Sequence, residues 1–119
     1  MARKDDLGRA GEDRAASYLT ARGYRIVERN WRCAQGEIDI IATRDGVVSF
    51  VEVKTRTSIA FGHPFDAIDA RKRERMWRLA YAWAGTNPGG GARPLRLGVI
   101  GIIGADPARG TIEHLEDLR

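Results

Sequence analysis

The chain has 119 residues, of which 43% are hydrophobic and 30% charged, proportions typical of one globular domain with a single core. Lys and Arg outnumber Asp and Glu by 20 to 16, which favours a polyanionic partner. The single cysteine, Cys33, excludes an internal disulfide and a cysteine-ligated zinc cluster. With no apolar run of transmembrane length and no signal-peptide core, we expect one cytoplasmic domain over residues 1–119, with no membrane partner.

The first predicted element is a helix over residues 7–22, with Asp5 or Asp6 as its N-cap and Gly23 at its end. Its inward stripe consists of Leu7, Gly11, Ala15 and Tyr18. Glu12 lies at the margin of that stripe, so we expect it to point along the seam between helix and sheet.

The next predicted elements are a short strand over residues 24–29, a connection over 30–35 and a hairpin over 36–55. Asp45 and Gly46 form the two-residue turn of the hairpin. One face carries Ile38, Ile40, Val51 and Val53. Because both faces are largely apolar, we predict a central hairpin that is covered on both sides.

Acidic residues interrupt both strands of this hairpin. The register set by the turn places Asp39 opposite Glu52 and Glu37 opposite Lys54 on one face. Carboxylates about 5 Å apart repel each other and retain protons unless a cation neutralises them. The pattern therefore predicts a metal site.

A loop over residues 56–65 precedes a second predicted helix, over residues 66–84. The inward stripe of this helix consists of Ile68, Met76, Leu79 and Trp83. Lys72 falls in the middle of the stripe, so we expect this cation to face the sheet. Trp77 and Tyr81 lie on the outward side, where packing on the carboxy-terminal segment, on a second subunit or on bases remains open. After a flexible segment over residues 85–94, residues 95–103 and 111–115 predict two closing strands.

Several short sequences in this chain resemble known families. Asp39, a hairpin and Glu-Val-Lys at residues 52–54 match the Asp…Glu-x-Lys signature of the PD-(D/E)XK nuclease superfamily. Further matching words are Gly-Glu at 11–12, Gly-Tyr at 23–24, Arg-Asn at 29–30, Gly-Glu-Ile-Asp at 36–39, Phe-Val-Glu-Val-Lys-Thr-Arg at 50–56, Phe-Gly at 61–62 and Lys72. Together they resemble the YraN-like family (uncharacterised protein family 0102), which is similar to archaeal Holliday-junction resolvases.

The resemblance implies an α/β (α+β) fold with a restriction-endonuclease-like mixed central sheet flanked by helices. It also implies Glu12, Asp39 and Glu52 as metal-site acids and Lys54 as the catalytic lysine. One departure is Arg-Leu-Gly at residues 96–98, where members of the family usually have Arg-Phe-Asp. Gly98 thus stands in place of a carboxylate, so the resemblance implies no catalytic role for this strand. A homodimer would suit a resolvase-like protein because junctions are symmetric, but the residue pattern does not fix the oligomeric state.

Phosphodiester hydrolysis would use these residues in separate roles. Mg²⁺ or Mn²⁺ prefers oxygen ligands, which Asp39, Glu52 and the backbone carbonyl of Val53 offer. We expect Glu12 to hold a metal-bound water or a second ion. Lys54 would orient the attacking water or stabilise charge on phosphorus.

The remaining charged residues are given supporting roles. Glu37 is expected to pair with Lys54 or to support the metal ligands. The candidates for phosphate contacts, without base specificity, are Arg56, Arg71, Lys72, Arg75 and Arg78.

The leading hypothesis is a metal-dependent endonuclease that hydrolyses DNA, with branched or repair intermediates as its expected substrates. The alternatives are a catalytically inactive nucleic-acid-binding module on the same fold and an interaction protein in a DNA-processing complex. The acids and lysine could also form a buried ion-pair network that only fixes the register. The sequence leaves DNA versus RNA open.

Overall fold

The computed structural model describes residues 4–60, 62–89 and 92–118, with side chains from residue 6 onward. Phe61 of the Phe-Gly word, and Gly90 and Gly91 of the segment predicted to be flexible, lie outside these residues. In chain order the elements are α1 (Lys4–Ala21), β1 (Arg25–Cys33), β2 (Gly36–Arg44), β3 (Val47–Arg56), α2 (Ala70–Thr86), β4 (Leu95–Ile103) and β5 (Thr111–Leu115). A short 3-10 helix, Pro64–Ala67, precedes α2.

The five strands form one mixed sheet in the order β1-β2-β3-β4-β5. The β3–β4 pair is parallel, whereas the other three pairs are antiparallel. A parallel pair requires a crossover, and α2 provides it. The predicted α/β class with a mixed central sheet is therefore confirmed.

Each face of the sheet is covered by one helix. The core on the α1 side consists of Ala15, Leu19, Tyr24, Ile40, Ala42, Val51, Ile100 and Ile102. The core on the α2 side includes Phe50, Met76, Leu79, Trp83, Leu97 and Val99. The hairpin of β2 and β3 is thus covered on both sides, as predicted. Ile38 differs from its predicted face, because it packs in the α2-side core rather than with Ile40.

The first helix begins earlier than predicted, at Lys4, so Asp5 and Asp6 lie within it and are not N-caps. Strand β1 is longer than predicted, because residues 30–33 extend the strand instead of forming a connection. Asn30 adopts a positive φ of 53° in this strand, a conformation that asparagine tolerates better than most residues. Strand β1 therefore continues through the positive φ of Asn30 to Cys33.

Helix α2 begins at Ala70 instead of residue 66, because Pro64–Ala67 forms a separate 3-10 helix. The side chain of Asp69 accepts a hydrogen bond from the backbone N–H of Lys72 and caps α2. Met76, Leu79 and Trp83 are buried as predicted, whereas Ile68 precedes the helix. Strands β4 and β5 have their predicted bounds. Neither helix of the described chain is long and apolar enough to span a membrane.

Candidate functional site

The hairpin register brings the acids of β2 and β3 together. Paired residues run from Arg44↔Val47 to Ile40↔Val51, which is the register predicted from the turn. One step further along β2, Asp39 Oδ2 accepts a hydrogen bond of 2.8 Å from the backbone N–H of Val53. The Asp39 carboxylate therefore joins the two strands at the end where Glu52 and Lys54 lie.

Glu52 is a buried acid that is neutralised by two lysines. Only 8% of the residue is exposed. The ammonium groups of Lys54 and Lys72 each lie 3.3 Å from the same oxygen, Glu52 Oε1. Lys54 comes from β3 and Lys72 from the first turn of α2, so the carboxylate links the helix to the sheet.

Asp39 has a different electrostatic environment from Glu52. Burial, followed by the negative charge of Glu52, raises the pKa of Asp39 to about 7. Glu12 and Glu37 raise this pKa further, and the hydrogen bond from Val53 opposes the rise. Asp39 is thus a carboxylate surrounded by other carboxylates, a setting that favours either a proton or a cation.

Asp39, Glu52, Lys54 and Lys72 form a cluster at this end of the hairpin, and Glu12 approaches it from α1. Its pKa is raised, chiefly by burial, while a hydrogen bond with Asn30 and the charge of Arg29 oppose the rise. Glu12 also lines a cavity of about 470 Å³ together with Val53, Lys54 and residues 55–57. The structure therefore places Glu12 beside the lysine of the hairpin, along the seam predicted from the sequence.

Glu37 contacts a different cation from the predicted one. Its carboxylate accepts a hydrogen bond of 2.6 Å from Arg32 Nε, while Lys54 pairs with Glu52. The predicted Glu37–Lys54 pair is thus replaced by Glu37–Arg32. The β1–β2 register places Arg32 opposite Glu37, in a part of β1 for which the sequence predicts a connection and therefore no strand partner.

The candidates for phosphate contacts differ in how close they lie to the acids and lysines of the hairpin. A Cβ atom built on Gly36 would lie 2.7 Å from Arg75 Nη2, so Arg75 covers the β1–β2 turn. Arg71 is exposed, and Arg78 lies 3.9 Å from Glu74 on its own helix. Arg56 ends β3 and lines the cavity beside Glu12. Besides Lys72, which contacts Glu52, Arg56 and Arg75 are thus the candidates that lie next to residues of the cluster.

The aromatic residues of α2 form a stacked pair. The rings of Trp77 and Tyr81 lie 5.7 Å apart at an interplanar angle of 25°. Trp77 also packs against the α2-side core, while Tyr81 is 64% exposed. Packing accounts for Trp77, and the outward position predicted for Tyr81 is confirmed.

The described residues offer a divalent cation few acidic ligands at one place. Within residues 4–60, 62–89 and 92–118, no group of three or more His, Cys, Asp or Glu residues could hold a metal ion. Glu12, Asp39 and Glu52 therefore do not form a preassembled three-acid site in the described chain. Asp39 and Glu52 still offer hard oxygen donors, and the raised pKa of Asp39 fits a position that lacks positive charge. The metal ligands, with the Val53 carbonyl among them, stay a prediction.

Gly98 lies away from the acids of the hairpin. In the β3–β4 register it is the partner of Val51, whereas Glu52 is the partner of Val99. Successive residues of a strand point to opposite faces, and Val51 belongs to the α1-side core. A side chain at position 98 would meet the carbonyl oxygens of Leu115 and Glu116 at 3.4 and 3.6 Å. A substitution at position 98 would therefore act at the α1-side core and β5 rather than at the Asp39–Glu52 pair.

Two contacts near this end of the sheet had no clear sequence signal. His63 Nδ1 accepts a hydrogen bond from the backbone N–H of Phe65, and His63 Nε2 contacts the carboxylate of Glu113 in β5. The Lys72–Glu52 contact was only partly foreseeable, because the helical stripe predicted the direction of the lysine but not its acidic partner.

The fold and the cluster define an α/β domain in which acids and lysines gather at one end of a central hairpin. A sequence model of the uncharacterised protein family UPF0102 matches residues 11–102. The UPF0102 protein of Leifsonia xyli subsp. xyli is 48% identical over 116 residues, covering 97% of each chain. That of Clavibacter michiganensis subsp. michiganensis is 46% identical over 103 residues, covering 87% of this chain and 86% of the relative. The chain belongs to the UPF0102 family.

Proposed function

We propose that this protein is a metal-dependent endonuclease that hydrolyses phosphodiester bonds in DNA, with branched or repair intermediates as its substrates. The observation that carries the proposal is the pair of acids Asp39 and Glu52 beside Lys54 and Lys72. The resemblance of this set to the PD-(D/E)XK signature supports the same reaction. Buried charges seldom contribute enough stability to explain their presence without a further role.

The residues of the cluster would divide the reaction between them. A Mg²⁺ or Mn²⁺ ion held by Asp39, Glu52 and the Val53 carbonyl would supply Lewis acidity at the phosphate and a more acidic water. Lys54 lies beside Glu52 and would orient the attacking water or stabilise negative charge on the phosphoryl oxygens. Glu12, which lines the same cavity as Lys54, would hold a water.

Substrate binding would use the arginines around the cluster. Arg56 and Arg75 flank it on two sides, and Arg71 adds an exposed charge at the first turn of α2. Guanidinium groups bind phosphates bidentately without reading bases. The surface would therefore recognise the shape of the backbone rather than a sequence.

A second candidate is a nucleic-acid-binding module that does not cut. It is favoured by the two lysines, which neutralise Glu52 without a metal ion. Such a module would bind DNA equally with metal and with chelator, whereas the nuclease requires metal for turnover.

The test is cleavage of end-labelled single-stranded, duplex, flap and four-way-junction DNA in Mg²⁺, Mn²⁺ or chelator. We expect metal-dependent cutting by the wild type and a loss of at least about 100-fold in Glu52→Gln, because this change keeps the shape but removes the charge of a central acid. Glu74→Gln is the matched control, since Glu74 lies on α2 with a 74% exposed side chain. Retained binding with no cutting in either metal would support the binding module instead.

A further inference from the structure

The contact between Lys72 and Glu52 creates a conflict with metal binding. The Glu52 carboxylate has a side chain only 10% exposed, and both of its ammonium partners lie 3.3 Å from the same oxygen. A divalent cation on that carboxylate would have two ammonium groups as close neighbours. Like charges at such distances repel strongly where water is largely excluded. A cation therefore binds this carboxylate more tightly when at least one lysine withdraws.

The two lysines differ in how they reach the carboxylate, although their side chains are about equally exposed, 26% for Lys54 and 27% for Lys72. Lys54 follows Glu52 by two residues on the same strand and lines an open cavity together with Glu12. Lys72 reaches the carboxylate from another element, the first turn of α2. Its neighbour Arg71 is exposed. A rotation of the Lys72 side chain would carry its ammonium into water without moving either strand.

We propose that Lys72 is a positioning residue that competes with the divalent cation for Glu52 and thereby sets the affinity of the site for metal. This inference rests on the proposed metal-dependent function. In the metal-free protein Lys72 holds Glu52 in place and replaces the missing positive charge. Metal binding displaces the Lys72 ammonium, and the free energy needed to break its contact with Glu52 lowers the net affinity for the cation.

A purely structural ion pair makes the opposite prediction. If Lys72 only fixed α2 to the sheet, its removal would loosen the site and leave metal affinity unchanged or weaker. If Lys72 competes with the cation, its removal strengthens metal binding even when the protein becomes less stable. The direction of the change in affinity separates the two roles.

The experiment is isothermal titration of Mn²⁺ into the full chain at fixed pH and ionic strength. The variants are Lys72→Met, which removes the charge, and Lys72→Arg, which keeps it. We expect Lys72→Met to bind Mn²⁺ between about threefold and tenfold more tightly than the wild type, because one competing charge is gone. Lys72→Arg should stay within about twofold of the wild type.

Two further variants make the result specific. Arg78→Met removes one positive charge from the same helix, but Arg78 pairs with Glu74 rather than with a cluster acid, so its Mn²⁺ affinity should match that of the wild type. Glu52→Gln should lose binding, which assigns the measured ion to this carboxylate. Thermal unfolding in chelator checks that each variant folds, and Lys72→Gln replaces Lys72→Met if the latter does not.

The inference is overturned if Lys72→Met binds Mn²⁺ as the wild type does, or more weakly, while Glu52→Gln loses binding. It is also overturned if Arg78→Met gains as much affinity as Lys72→Met, because the effect would then be one of total charge. A failure of the proposed function has a different signature, namely Mn²⁺ binding that is absent from every variant or unaffected by Glu52→Gln.

Discussion

Asp39 combines a structural and an electrostatic role in one side chain. Its carboxylate accepts the N–H of Val53, yet burial and the charge of Glu52 raise its pKa to about 7. An asparagine could accept the same hydrogen bond through its amide oxygen without carrying a charge. Asp39→Asn can therefore keep the hydrogen bond to Val53 while removing the unfavourable free energy of the buried charge.

Asp39→Asn should increase the stability of the metal-free protein at alkaline pH. Because the folded-state pKa lies above the ordinary value of 3.8, the stability contribution of Asp39 falls as the pH rises from about 4 to about 7. We expect Asp39→Asn to be more stable than the wild type by about 1–3 kcal/mol at pH 8, with a smaller difference at pH 5. Urea unfolding in chelator at both pH values measures this. A variant that is less stable than the wild type at pH 8 would contradict the assignment.

Helix α1 packs closely against Thr55 of β3 at Gly11. A Cβ atom on Gly11 would lie 2.0 Å from Thr55 Oγ1 and 3.2 Å from Thr55 Cβ. Gly8, one turn earlier on the same helix, has no atom within 4 Å of such a Cβ. A side chain would therefore clash with the sheet at Gly11 but would have free space at Gly8.

Gly11→Ala should destabilise the protein by about 1–3 kcal/mol, because the added methyl overpacks the contact with Thr55. Gly8→Ala is the matched control and should be neutral or stabilising by up to about 1 kcal/mol, through helix propensity alone. Chemical denaturation of both variants measures the difference. Adding Thr55→Ala should recover part of the Gly11→Ala loss, and strictly additive effects would show that the two residues do not contact.

Local chemistry explains which parts of the fold could be predicted from the sequence. Asp45 and Gly46 adopt the positive φ values of 53° and 79° that a two-residue hairpin turn requires. That turn fixed the register and therefore the juxtaposition of Asp39 with Glu52. The nearly continuous apolar run of β4, between Pro94 and Gly104, likewise predicted its bounds.

The missed features depend on contacts between segments far apart in the chain or on unusual backbone geometry. The end of β1 is short and only partly apolar, with Trp31 and Cys33 packed against the α2-side core, and the positive φ of Asn30 resembles that of a turn. The position of Arg32 beside Glu37 therefore has no sequence signal. The 3-10 helix that begins at Pro64 lies so close to α2 that the sequence predicts one helix for both. The contact between Lys72 and Glu52 depends on how α2 crosses the sheet, which helical periodicity does not specify.

The molecule measures 43 × 30 × 23 Å and carries a formal net charge of +4. Arg56 and Arg75 lie near the acid cluster. Arg93 lies at the other end of the sheet, where it lines a cavity with Val48 and Trp83. Equal charges therefore occupy opposite ends of one small protein, and they should contribute unequally to binding.

Nucleic-acid affinity should fall with salt in proportion to the number of phosphates contacted. We expect Arg75→Gln to weaken binding of a labelled duplex and to reduce the slope of log affinity against log salt by about one. Arg93→Gln removes the same charge from the opposite end and should leave the slope unchanged. Fluorescence anisotropy over a salt series measures both. Equal losses in the two variants would mean that only the net charge attracts DNA.

The parallel pairing of β3 with β4 also has a consequence for how the chain folds. Its partners, from Val48↔Leu95 to Arg56↔Ile103, are about 47 residues apart in the chain, whereas the β2–β3 hairpin closes through a two-residue turn. Local hairpins form within microseconds, and distant strands pair later because the intervening chain must first be ordered. We therefore expect the β2–β3 hairpin, with Asp39, Glu52 and Lys54, to be complete during synthesis before α2 has been made. Lys54 is then the first cation beside Glu52, and the contact with Lys72 forms last.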